Sequence, residues 1–122
     1  MTTLAHDPDC IFCKIVAGQI PSRKVFEDEE LIAFHDIAPK APIHFMIVPK
    51  EHIASTAQLQ ARHAALMGRI ITLAPKLALE QGCQPYPDGG WRIAINTGAH
   101  GGQEVPHLHV HVLGGPRPWK WG

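Results

Sequence analysis

Between Val105 and Gly115 the chain reads Val-Pro-His-Leu-His-Val-His-Val-Leu-Gly-Gly, with an imidazole at every second position from His107 to His111. Strands repeat every two residues and helices every 3.6, so this alternation is that of a β-strand. In that conformation Leu108, Val110 and Val112 point into a core. His107, His109 and His111 line the opposite face, each about 6.6 Å from the next. A row of imidazoles is poor core material, so this face is expected to be wet, ligated or catalytic. Neighbouring rings can share a metal ion, but the outer pair stand roughly 13 Å apart at the backbone, too far for one ion to take all three. At least one ring is left for other chemistry. A merely solvated His-rich strand is the plainer alternative; three rings in register, entered from a Gly-Gly loop, argue against it.

The remainder of the chain fits one domain. Its 122 residues suffice for a core without disulfide staples. A net charge of zero gives no steering towards nucleic acid or an anionic membrane. No apolar run reaches transmembrane length, and Met1 to Asp9, a loose leader, lacks the basic and apolar regions of a signal peptide. Cytoplasmic residence is the expectation. Three cysteines, an odd number, argue against a secreted disulfide framework. Cys10 and Cys13 form a C-x-x-C pair; Cys83 is assigned no role.

Phe12, Ile15 and Val16 at helical spacing, stopped by Gly18, predict a short helix. Lys24 to Glu27 and Leu31 to His35 predict a hairpin, and Ile43 to Val48 a central strand whose one polar member is His44. A helix is expected from about Gln58 to Gln81, kinked or broken at Pro75. Trp91 to Asn96 alternates as a further strand. The total is an α+β fold: a five-stranded antiparallel sheet with one long and one short helix. The long helix covers one face and the other is left for ligand.

Before the histidine strand lies Asn96-Thr97-Gly98-Ala99-His100-Gly101-Gly102-Gln103-Glu104-Val105. Glycines let backbone N–H groups approach an anion closely. Beside the imidazoles this suggests a bound phosphate, which a neutral histidine can attack while a neighbour donates a proton.

His107-Leu108-His109-Val110-His111-Val112-Leu113 resembles the signature of the histidine-triad (HIT) superfamily, and the rest resembles its nucleotide-binding Hint branch. Matching pieces include Cys10 to Ile15, Ala33 to Pro39, Ala41 to Phe45, Ile47 to Lys50, His52-Ile53, Gly101 to Gln103 and Leu113 to Gly115, in the family's order. The resemblance implies a homodimer whose sheets join, binding purine nucleotides of the AMP type. It also implies hydrolysis of nucleoside 5′-phosphoramidates and AMP esters, with no cofactor required for catalysis. His109 would be the nucleophile, passing through a nucleotidyl-histidine, and His111 would bond the phosphate. His107 and His44 would lie beside the nucleophile and orient it. Asn96, Gln103, Glu104 and backbone N–H groups near Val105 would hold the phosphate or leaving group, and Asp36 the ribose. Phe12, Ile15, Ile20, Phe34, His35 and Ile37 would form the slot for the base. Glu104 stands where many members carry serine, and Pro106 where an aromatic is common. In some members a C-x-x-C pair joins two histidines in a structural zinc site, implying Cys10, Cys13, His44 and His107 here; buried thiols are the alternative. The C-terminal tail, 116–122, with Trp119 and Trp121, would reach the partner's site. Alternatives within the resemblance are a dinucleoside-polyphosphate hydrolase and a nucleotide-binding regulatory dimer with incidental hydrolysis.

Overall fold

A computed structural model of the chain describes residues 5–116. The elements are α1 (Ile11–Val16), β1 (Lys24–Glu27), β2 (Leu31–His35), β3 (Ile43–Pro49), α2 (Ala64–Glu80), β4 (Trp91–Ala94) and β5 (Val110–Gly114). All neighbouring strands are antiparallel, in the order β1-β2-β3-β5-β4. This is the expected α+β architecture. No helix among the described residues is long and apolar enough to cross a membrane.

Strand alternation sorts the core into two layers. Leu31, Ala33, Phe45, Ile47, Val110 and Val112 face α2, which buries Ile70, Ala74, Leu77 and Ala78 against them. Their neighbours Ile32, Phe34, Met46 and Val48 face the other way and meet Phe12, Cys13 and Ile15 from α1. Because α1 is so short, it covers only part of that second face. Its start is capped by Cys10, whose Sγ accepts from the Cys13 N–H at 3.2 Å. Gly18, at φ +77°, turns the chain away beyond its end.

Four expectations are revised. The long helix begins at Ala64, because residues 56–58 and 61–63 are short 3₁₀ turns, held by Ser55 and by the Gln60 N–H donating to His63 Nδ1 at 2.9 Å. It then continues unbroken through Pro75 to Glu80. The carbonyl freed by that proline belongs to Ile71, a residue 42% exposed, so it lies on the side where water can replace the lost donor. The regular ladder of β5 starts at Val110 and not at the first histidine. Pairing with β3 ends at Ile47–Val110, and the preceding residues are tied instead to the segment after β3, with Leu108 N–H donating to the Ile53 carbonyl at 2.7 Å. The segment read as a loose leader is also anchored where it is described. The Ala5 carbonyl accepts from His52 N–H at 2.7 Å and that of Asp7 from Cys10 N–H at 3.0 Å.

The Gly114-Gly115 end of β5 has a packing reason. A Cβ on Gly114 would lie 2.2 Å from Cys83 Sγ, so the buried thiol occupies the place of the missing side chain. Gly114→Ala is therefore expected to destabilise the protein by about 1–3 kcal/mol, the usual cost of overpacking a core. Adding Cys83→Ala should recover part of that loss in urea titrations. Equal stability of the single and double variants would contradict this account.

Candidate active site

On the α1 side of the sheet lies a cavity of about 1000 Å³. Phe12 and Ile15 reach it from α1, Ile20 from the following turn, and Phe34 and His35 from the end of β2. Asp36 and Ile37 follow in the loop; His44, Asn96, Glu104, Val105, His109 and His111 complete the expected set. Two expected residues, Gln103 and His107, do not line it.

The Gln103 side chain is used to brace the glycine loop. Its Oε1 accepts from Gly98 N–H at 2.9 Å, and its Nε2 donates to the Ala54 and Val105 carbonyls at 2.7 and 3.0 Å. Both amide protons are thereby engaged within the protein. The loop needs glycine at Gly98 and Gly102, whose φ values are +66° and +81°.

His107 is wholly buried. Its Nε2 sits 2.8 Å from the Pro49 carbonyl, which only accepts, so that nitrogen carries the proton and Nδ1 is left with a lone pair. Burial pushes the ring's pKa down to about 4, against the pull of that carbonyl. Nδ1 faces Cys10 Sγ at 3.3 Å, Cys13 Sγ at 3.5 Å and His52 Nδ1 at 3.2 Å. The donor atoms of all four residues lie within 4.8 Å of one another. Burial, foremost, raises the Cys13 thiol to about 11, the opposite of the depressed pKa of a redox-active thiol.

This corrects the grouping read from the sequence: the histidine that joins His107 beside the two cysteines is His52, not His44. His44 pairs with Leu113 across β3 and β5, six residues beyond His107 in the chain. His52 follows the end of β3 and therefore sits beside the residues that precede β5. Antiparallel register carries that information, but only once the pairing partners are known.

His109 is only 7% exposed, yet it lines the cavity. Its Nδ1 lies 2.7 Å from the His107 carbonyl and must donate to it, which leaves the lone pair of the neutral ring on Nε2. Phe12 stands edge-on to this ring at 5.1 Å between centroids, and His111 lies at 4.8 Å. His107 thus orients the nucleophile candidate through its backbone. His44 has a different neighbour from the one expected: its Nε2 is 2.9 Å from His111 Nδ1. Burial, with His109 and His44 nearby, lowers His111 to about 4. Burial also lowers His44, although Asp36 Oδ2 stands 3.5 Å from its Nε2.

Among the described residues, sequence reading missed three cations on the cavity wall, Arg23, Lys40 and Arg92, as well as His52. A single Lys or Arg in the sequence carries no local signal; only the fold gathers these. Trp119 and Trp121 lie outside the described residues.

A family model described as scavenger mRNA decapping enzyme C-terminal binding matches residues 9–121. The purine nucleoside phosphoramidase of Escherichia coli K12 is 43% identical over 107 residues, 88% of this chain and 87% of that protein. A histidine triad protein from Clostridium difficile superposes with a TM-score of 0.87 at 40% identity, covering 96% of this chain and 99% of the other. A HIT family hydrolase from Legionella pneumophila gives 0.85 at 42%, covering 92% and 97%.

The lowered histidines set the direction of acid stability. A group whose folded pKa is depressed takes up its proton first in the unfolded chain, so stability falls as pH falls between the two values. For His107 and His111 that window runs from 6.5 down to about 4. Thermal midpoints measured with chelator present should drop across it, and His111→Gln should flatten the slope. A midpoint constant from pH 7 to 4.5 would contradict the assignment.

Proposed function

The chain belongs to the histidine-triad family of hydrolases, and on that premise we propose that it is a purine nucleoside phosphoramidase that also cleaves AMP esters. The observation that carries the reading is the His109 ring, held through Nδ1 by the His107 carbonyl and lining a cavity that can take a nucleotide. The base would lie between Phe12, Ile15, Ile20, Phe34, His35 and Ile37, and the Asp36 carboxylate would accept from ribose hydroxyls. His109 Nε2 attacks phosphorus, the P–N bond breaks, and the amine leaves with a proton. Glu104, on the cavity wall beside Val105, would supply that proton. Water then attacks the nucleotidyl-histidine, giving up a proton that returns to Glu104, and the P–N bond to His109 breaks, releasing AMP and restoring the ring. His111 and Asn96 would donate to the phosphate oxygens throughout. His109→Ala should lower turnover of adenosine 5′-phosphoramidate by at least about 10³-fold, and mass spectrometry of wild type during turnover should find AMP on His109. Faster hydrolysis of diadenosine polyphosphates than of the phosphoramidate would favour a polyphosphate hydrolase. Near-zero turnover of both would favour a binding protein.

The Cys10, Cys13, His52 and His107 cluster fits a structural zinc ion: soft and imidazole donors converge, and the Pro49 carbonyl already orients His107 from behind. Zinc bound there would join α1 to the segment after β3. One equivalent of zinc should bind and raise the thermal midpoint; His52→Ala should abolish that and His44→Ala should not. Metal analysis and melting curves with and without chelator read both. The proposal extends to a homodimer. Strand β4 is an edge in the single chain, and a second copy could continue the sheet there. Light scattering at micromolar concentration tests it.

A further inference from the structure

The loop between β2 and β3 folds back over His44. The Asp36 N–H donates to the His44 carbonyl at 3.0 Å, and Asp36 Oδ1 accepts from the Ala38 N–H at 2.8 Å. This brings the Lys40 backbone nitrogen to 3.1 Å from His44 Nδ1. An amide N–H can only donate, so His44 Nδ1 accepts and the one proton of the neutral ring must sit on Nε2. That nitrogen lies 2.9 Å from His111 Nδ1, which must therefore accept in turn. The His111 proton is driven to Nε2.

We infer that the Lys40 backbone amide and His44 act as positioning groups that fix the tautomer of His111, so that it presents an N–H to the phosphate. The role rests on the reading of the cavity as a phosphoryl-transfer site. Two adjacent imidazoles are thereby set in opposite states. His109 is held by a carbonyl with its lone pair on Nε2, and His111 by a relayed amide with its proton on Nε2. A His111 with the proton on Nδ1 would turn a lone pair towards the anionic oxygens and repel them. Burial of His44 and His111 keeps both rings neutral, the state in which tautomer decides who donates.

The same bonds argue against a second metal site. Asp36, His44 and His111 bring donor atoms within 4.8 Å of one another, but a metal on His44 Nε2 would displace its proton onto Nδ1, against the Lys40 N–H. The cluster is wired for proton placement.

Two measurements test this. Long-range ¹⁵N correlation spectra of the wild-type protein should show His44 and His111 protonated on Nε2 and His109 on Nδ1. The Nδ1–H form of His111 would overturn the inference, and this reading needs no substrate. In the second, His44→Gln places an amide donor near the former Nε2, whereas His44→Asn leaves only the Nδ1 position filled. Turnover by His44→Asn should fall about a hundredfold, the scale of one transition-state hydrogen bond, with KM little changed. His44→Gln should recover most of it, while the melting temperatures of the two variants stay close. Equal losses in both variants would mean that His44 serves packing alone, and would overturn the role. A wild type inert towards phosphoramidate would overturn the proposed activity and leave the spectra to decide the tautomers.

Discussion

The bond from His109 Nδ1 to the His107 carbonyl, 2.7 Å long, is the contact on which the site depends. It joins residues two apart, so it needs a backbone conformation in which the earlier carbonyl can meet the later ring. A regular ladder would commit the His107 carbonyl to a neighbouring strand or to solvent. Pairing with β3 stops at Val110, which releases the preceding residues to curl against Pro49 and Ile53. Pro106, lacking an N–H, fits a place where no ladder bond is made. The local irregularity in β5 is thus what orients the ring.

His107 consequently belongs to two systems. Its backbone steadies His109, and its side chain is fixed between the Pro49 carbonyl and the sulfur atoms at the start of α1. Displacing α1 would free the His107 ring on one side and uncover the Phe12 edge against His109 on the other. The N-terminal helix, though it is six residues long, therefore bears on the chemistry without contributing a reacting atom. A short helix has little stability of its own. Its hold comes from burial of Phe12, Cys13 and Ile15 and from the cluster beneath it.

Much of this was legible in the sequence because strand alternation is strict where both faces matter. The histidine row follows from period two, the hairpin of β1 and β2 from two short runs joined at Asp28-Glu29-Glu30, and β3 from a continuous apolar run; the register then sends Phe34, His44 and His111 to one face. Less legible was whatever depends on where pairing ends. The late start of β5 decides that His107 leaves the cavity and that His52, not His44, meets the cysteines. Gln103 shows a second limit: an amide in a glycine loop looks the same whether it holds a ligand or holds the loop. Only its three partners tell the two apart.

The electrostatics of the cavity follow from the same arrangement. Imidazoles in a wet row would titrate near neutrality, and their charge would change across the physiological range. Here burial holds His44 and His111 low. A cationic His111 could donate from either nitrogen, and nothing would need to choose between them. A neutral ring has one proton, and its placement must be dictated from outside. That is why the chain of bonds through His44 ends on a backbone amide: a main-chain N–H cannot exchange its role, so it sets a direction that each ring passes to the next.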